Sequence, residues 1–387
     1  MTDPELTPEQ AVSRARGRGA PVVFFDGRGG HGSAWPTRLA IEPRPIASDL
    51  ASIDRRVATR RRRGGPGGSG VAVLLPYELE GCVALEFDAS IAFGSLPPPT
   101  LERPAFPSRQ PRTSLPRERY LRAVEAVKRH ITLGDIYQAN LTQRFASEFG
   151  GDLWELYGAL VTATPAPRSA YVETSEFALA SVSPETFIDV DRHGNATTLP
   201  IKGTRPRGGT PEEDDRLRSE LLLSAKDRAE LTMIVDLERN DLGRVAKTGS
   251  VRVPELAALR TYPAVHHLVA TVTAELKDGT GFEDLVRAVF PGGSITGAPK
   301  LRAIEILKTL EPVPRHLYTG SLFFLDDDGT TWSSILIRSV VVRGGVAFLG
   351  AGGGVVADSE PEGEWMESNA KARALTRVLG FEPEEAV

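Results

Sequence analysis

Two stretches of the chain set carboxylates and an amine against an apolar side. Pro200-Ile201-Lys202-Gly203-Thr204 ends an apolar, β-branched run on a lysine, and Lys226-Asp227-Arg228-Ala229-Glu230 follows it. On a helix turning by about 100° per residue, Glu230 points to the side of Met233, Ile234 and Leu237 and shares their inward stripe. The last helical pattern repeats the arrangement: Glu364, Glu367, Ser368 and Lys371 fall on the face that Leu375, Val378 and Leu379 bury. Charged groups turned inward require each other or a ligand. One helix alone is satisfied by an ion pair, such as Glu367 with Lys371 four residues on. Two separate helices directing carboxylates inward point instead to a shared cation. Oxygen ligands without a His or Cys cluster suit a hard ion such as Mg²⁺, which keeps water and takes up an anionic substrate.

These groups need elements to hold them. Tyr120, Val124, Val127 and Ile131 predict a helix that stops at Gly134, its C-terminal cap. Residues 134–145 read as a turn into an alternating strand, and strands are expected over 21–26, 71–75, 83–87, 177–182, 187–190 and 196–201. Their spacing suits antiparallel hairpins. Thr210 with Glu213 and Ser224 with Asp227 form capping boxes that start two helices. Further strands are expected over 250–253, 266–273, 321–325, 331–342 and 346–349, with helices over 282–289 and 303–310. The last helix is expected to be capped by Ser359 with Glu362, to carry Pro361 in its first turn and to end at Gly380.

Composition bounds the rest. With 387 residues, 41% apolar and 25% charged, the chain has the makeup of a globular protein able to bury a large core. A net charge of −5 gives no general attraction to nucleic acid or anionic membrane. No apolar run approaches the roughly 20 residues of a membrane span, and the opening residues lack a signal pattern, which points to the cytoplasm. The single cysteine, Cys82, excludes an intramolecular disulfide and reads as a small buried residue. Residues 55–63 hold six arginines before a glycine-rich stretch and read as a solvated, mobile loop. A nucleic-acid contact there lacks the interleaved aromatics that stack bases. Prolines crowd 95–116, which suits a linker between a short α+β N-terminal region, 1–112, and a catalytic domain, 113–387.

Two glycine-rich pieces look like nucleotide loops only in part. Residues 292–300 lack Gly-Lys-Ser/Thr, and 350–354 lack the third glycine of a dinucleotide fingerprint. Their glycines offer either a flexible turn or close backbone approach with N–H groups that can hold a carboxylate.

Together, residues 200–204, 226–244, 290–300 and 350–371 resemble the chorismate-utilising enzymes, and the resemblance extends over roughly residues 115–380. It implies an α+β fold of antiparallel sheets packed in a sandwich with helices outside. It implies chorismate as substrate and Mg²⁺ held by Glu230 and Glu367, with Glu364 as a nearby carboxylate. Lys371 and the metal would hold the ring carboxylate. Tyr318, Arg338 and the backbone of Gly352, Gly353 and Gly354 would hold the enolpyruvyl carboxylate, for which a guanidinium fork is well shaped. Glu185 would assist departure of the 4-hydroxyl; Gly203, Thr204, His267 and Thr296 match active-site positions. Members that add water carry a lysine base where this chain has Gln138, and those that make anthranilate usually carry alanine where it has Lys202. The resemblance therefore points to amination without aromatisation, with Lys202 as a covalent nucleophile whose amine burial keeps neutral; anthranilate formation is the alternative. No glutaminase motif surrounds Cys82, so a separate glutamine amidotransferase subunit is expected to supply ammonia.

Overall fold

The computed structural model describes residues 7–19, 21–27, 35–46, 48–65, 67–93, 106, 109–262 and 265–385. Two antiparallel ten-stranded sheets lie face to face with helices on their outer sides. In one, Gln138–Glu148 pairs along its length with Val346–Val355, and the order continues through Ser339–Arg343, Ala178–Ser183, Arg168–Glu173 and Val22–Asp26. In the other, Ile201–Pro206 forms an edge beside Val265–Glu275, and the order runs on to Thr331–Ile335, Ser321–Asp326, Gly70–Leu75 and Val83–Phe87. Alternation explains why short apolar runs serve both faces. Val23 and Phe25 meet Leu74, Leu322 and Phe324 between the sheets, while Phe24 turns outward onto Leu156 and Tyr157. Val73, Leu75 and Phe323 likewise turn outward, onto the layer that includes Ile53, Leu231 and Val286. This is the α+β sandwich expected from the resemblance. Within it, strands from residues 22–92 extend both sheets, so the boundary expected at 112 separates no sheet from the remainder. Most of the proline-rich stretch expected to be a linker lies outside the described residues.

Three local expectations are corrected. The arginine run is a helix, Leu50–Arg63, rather than a loop. Asp49 caps it by accepting from the Ser52 amide at 2.9 Å, and Leu50, Ile53 and Val57 bury its inner stripe. Its arginines are engaged by the protein: Arg56 grips Glu86 at 2.6 and 2.8 Å, Arg60 grips Asp327 at 2.7 and 3.0 Å, and Arg61 donates to the carbonyls of Asp326 and Thr330. The stretch 350–354 is strand rather than turn, fully paired with 140–144. The last helix, Pro361–Val378, has Glu360 at its N-cap, and Ser359 makes no capping box with Glu362; its hydroxyl donates instead to Glu364 Oε1 at 2.7 Å. Elsewhere Thr210 and Ser224 cap Pro211–Leu223 and Ala225–Gly243, each hydroxyl accepting from the third helical amide, although the reciprocal bonds of the expected capping boxes are not made, and Cys82 is buried. No helix of the described residues is long and apolar enough to cross a membrane.

Candidate active site

Two chain segments that change sheets build one end of the site. Ser183-Pro184-Glu185 leaves Ala178–Ser183 of the first sheet for Asp189–Val190 of the second. Ile337-Arg338 returns from Thr331–Ile335 to Ser339–Arg343, with Arg338 at φ 48°, a conformation side-chain-bearing residues seldom adopt. The Ile335 amide donates to the Glu185 carbonyl at 3.1 Å and locks the two crossings together. Between them the sheets part, leaving a cavity of about 570 Å³, within the range of small-molecule sites.

Lys202 enters this cavity from the edge strand Ile201–Pro206. The ladder to Val265–Glu275 shifts between Lys202 and Thr204, where Gly203 at φ 73° forms a bulge, a device that re-aims neighbouring side chains. Only glycine fits there: a Cβ would lie 2.7 Å from Leu221 Cδ1 and 2.9 Å from Asp227 Cγ. Burial lowers the pKa of the Lys202 amine, with Lys371 adding to the effect and Glu230, Glu185 and Glu367 opposing it. Glu185 is buried, and Oε1 has no hydrogen-bond partner among the described residues. Burial raises its carboxyl above the ordinary range against the pull of Ser294, Lys202, Lys371 and Arg338.

Facing these groups are carboxylates from two helices. Glu230 of Ala225–Gly243 is half-buried, and burial raises its pKa while Lys202 and Lys226 oppose. Glu364 and Glu367 of Pro361–Val378 meet beside Gly353. A Cβ there would lie 3.0 Å from Glu364 Oε2, 3.4 Å from Glu367 Oε1 and 3.7 Å from Lys371 Nζ. Glu364 is buried and raised by burial, with Oε2 unpartnered among the described residues. Burial works against the charge of Glu367, but Lys371, 2.7 Å away, together with Lys226 and Lys202, holds its carboxyl below the ordinary value. The ion pair anticipated for one helix alone is thus present, within a cavity that also gathers carboxylates from another. Among the described residues no three His, Cys, Asp or Glu side chains close into a metal cage.

The structure brings together all of the expected site residues except two. Tyr318, Arg338, His267, Thr204, Gly203, Gly352, Gly354 and Lys371 line the same cavity as Lys202 and the glutamates. Gly353 lies just behind the wall beside Glu364. Thr296 is buried away from the cavity, and its hydroxyl donates to the Gly292 carbonyl at 2.9 Å. His267 Nδ1 lies 2.9 Å from the Thr204 hydroxyl; burial, reinforced by Arg338, depresses its pKa to about 4, so the ring is neutral near pH 7. Gln138 is fully buried, and both polar atoms of its amide lack partners among the described residues.

The chorismate binding enzyme family model matches residues 80–377, which include every residue named above for the cavity. The chain belongs to that family. It is 48% identical to the aminodeoxychorismate synthase component 1 of Klebsiella aerogenes over 268 residues, 69% of this chain and 59% of that relative. Against the anthranilate synthase component 1 of Bacillus caldotenax it is 44% identical over 263 residues, 68% of this chain and 52% of that relative. The match thus spans little more than half the length of these curated relatives. The fold is also that of the anthranilate synthase component I of Streptococcus pneumoniae, with a TM-score of 0.73 at 22% identity over 97% of this chain and 98% of that one.

For a chorismate binding enzyme of this shape, the strand Val346–Val355 explains why glycine recurs over 350–354. A Cβ on Gly350 would fall 2.3 Å from the Tyr318 ring, one on Gly352 2.1 Å from the Leu141 carbonyl, and one on Gly354 2.6 Å from Gln138 Nε2. Gly350→Ala should therefore displace Tyr318, cost about 1–3 kcal/mol as an overpacked core site, and weaken substrate binding; thermal denaturation with a binding titration measures both. Among the lining residues that escaped sequence reasoning are Asn140, Ser294 and Lys226. Lys226 was legible as the residue four before Glu230, whose Oε1 lies 3.9 Å from its amine. Ser294 and Asn140 carried no such signal, because a loop hydroxyl and a strand amide reveal their direction only in the folded chain.

Proposed function

We propose that the chain converts chorismate and ammonia to 4-amino-4-deoxychorismate, as component 1 of an aminodeoxychorismate synthase. The observation that carries this reading is the Lys202 amine, held in the cavity where burial lowers its pKa and set in one enclosure with the acid Glu185 and the carboxylates Glu230, Glu364 and Glu367. A neutral amine is a nucleophile, and a carboxyl that keeps its proton is an acid able to release hydroxide as water.

In this reading Arg338 and Tyr318 hold the enolpyruvyl carboxylate, and Lys371 holds the ring carboxylate after leaving Glu367. The Lys202 amine adds at ring C2, both ring double bonds shift (C1=C2 to C1=C6 and C5=C6 to C4=C5), and the 4-hydroxyl leaves as water with the proton of Glu185. Ammonia then adds at C4, both double bonds return to C5=C6 and C1=C2, and Lys202 is expelled as the neutral amine while Glu185 takes up the proton lost by the incoming nitrogen. Chorismate and ammonia give the amino product and water, and the enzyme returns to its starting state. The carboxylate set fits Mg²⁺: Glu364 Oε2 is buried without a partner among the described residues, Glu367 lies beside it, and a hard ion that draws its remaining ligands from substrate and water needs no complete protein cage. Glu230, Glu367 and Glu364 would hold it, and when bound it supplies a Lewis acid at the ring carboxylate.

Ammonia would come from a glutamine amidotransferase subunit, with ammonium salts replacing it in vitro. The test is product identification: the purified chain is incubated with chorismate, Mg²⁺ and ammonium, with and without an aminodeoxychorismate lyase. We expect 4-amino-4-deoxychorismate alone and 4-aminobenzoate once the lyase is added. Fluorescent anthranilate in the absence of lyase overturns the reading in favour of anthranilate synthesis.

A further inference from the structure

Tyr318 reaches the cavity from a turn, 315–319, between the helix Lys300–Leu310 and the strand Ser321–Asp326. Two residues of that turn, His316 at φ 54° and Thr319 at φ 60°, hold the left-handed backbone that side-chain-bearing residues rarely take up. Such strain persists only where the surroundings over-determine it. Two sets of contacts do so here. On the cavity side, the Arg315 guanidinium donates to the Asn140 carbonyl at 2.7 Å and the Ile295 carbonyl at 2.8 Å, both from residues that line the cavity. It also pairs with Glu311 at 2.6 and 2.8 Å, and Glu311 accepts the Thr142 amide and hydroxyl at 2.9 Å each. On the outer side, Glu78 Oε1 accepts the Arg315 amide at 2.8 Å, and Oε2 accepts the His316 amide at 3.1 Å. The Tyr77 amide donates to the His316 carbonyl at 2.7 Å, and the Tyr77 ring faces the Arg315 guanidinium at 4.5 Å. Tyr77 and Glu78 lie between the strands Gly70–Leu75 and Val83–Phe87, ahead of residue 80, where the family match begins.

We infer that Glu78 is a positioning residue for substrate binding: its carboxylate holds the two consecutive amides that fix the 315–319 turn, and so sets Tyr318 in the cavity. The inference rests on the reading that Tyr318 holds the enolpyruvyl carboxylate. A carboxylate offers two oxygens to two neighbouring amides, and hydrogen bonds to a charged acceptor are the stronger kind. The Tyr318 amide in turn donates to the Arg315 carbonyl at 3.2 Å, so the backbone that Glu78 grips is the one from which Tyr318 hangs. The Tyr318 ring packs directly on Gly350, and a turn that relaxes toward ordinary φ carries the ring off that contact. Arg315 shares the task, but it is buried, and removing it would strand the Glu311 carboxylate at a large cost to the fold. Glu78 lies at the surface, outside the cavity, and its removal loosens the turn alone.

The test reads binding apart from amination. Chorismate is titrated calorimetrically, with Mg²⁺ and without ammonium, into wild type, Glu78→Ala, Tyr318→Phe and the double variant. Glu78→Ala should stay folded, as a surface substitution does, and should weaken binding about tenfold, within the range by which residues of one hydrogen-bonded network couple. In the Tyr318→Phe background the same substitution should change binding less than about twofold, because the hydroxyl it positions is gone. A role confined to the fold predicts equal losses in both backgrounds. Glu78→Gln keeps one acceptor oxygen and should recover part of the affinity. With Tyr318→Phe weakened, wild-type binding by Glu78→Ala, or equal losses in both backgrounds, overturns the inference and leaves Tyr318 in its role. Wild-type binding by Tyr318→Phe overturns the reading of Tyr318 and the inference with it.

Discussion

Lys202→Ala should lower the proposed amination at least about 10³-fold, the order expected when a covalent nucleophile is removed. The amine sits at the second position of an edge strand, and the bulge at Gly203 aims it inward. Burial disfavours its cation and lowers its pKa below the ordinary lysine value of 10.5. Activity at constant free ammonia should accordingly rise with pH as the amine loses its proton, with a midpoint below 10.5. Lys202→Arg separates nucleophile from charge: it restores a cation, cannot form the adduct, and should remain as inactive as alanine. Intact mass and peptide mapping of enzyme quenched during turnover should find the adduct on Lys202. An adduct elsewhere, or substantial turnover by either variant, sinks the covalent step.

Glu367→Gln should lower the proposed Mg²⁺-dependent activity by about 10²-fold or more while leaving the chain folded. The side chain is half exposed, at 52%, and pairs with Lys371 one turn on, so little of the fold depends on it. The amide keeps the shape and loses the charge, which should weaken Mg²⁺ binding in calorimetric titration of the substrate-free protein. It also frees Lys371, which in the present structure is held by Glu367 at 2.7 Å and by the Gly352 carbonyl at 3.1 Å. Chorismate binding without metal should therefore be retained or slightly tightened, because the substrate carboxylate no longer competes with Glu367 for that amine. Unchanged Mg²⁺ affinity in this variant means the ion is held elsewhere.

Much of this arrangement was readable before any fold was known, and the reason is local. Glu230, Glu364 and Glu367 betrayed themselves because a carboxylate on the apolar side of a helix breaks a periodicity that 3.6 residues per turn makes strict. Lys202 stood out for the matching reason on a strand. The misreadings came where one local signal hid another. Six arginines in 55–63 concealed the stripe of Leu50, Ile53 and Val57 and the Asp49 cap, and the acidic partners that make such a helix tolerable, Glu86 and Asp327, lie on distant strands. The glycines of 350–354 read as a turn because neither Tyr318 nor Gln138, which forbid a Cβ there, is near them in sequence.

What the sequence determined by itself was the inventory: alternating strands, capped helices, inward carboxylates and a lysine in an apolar run, each set by backbone periodicity and by the cost of burying charge. Only the tertiary structure decided that these groups share one cavity, because that depends on where Glu185 and Arg338 cross between sheets and on how two helices far apart in the chain converge. Pairing across such distances is settled by packing of the whole sandwich, and so are the environments that raise the pKa of the Glu185 carboxyl and lower that of Glu367.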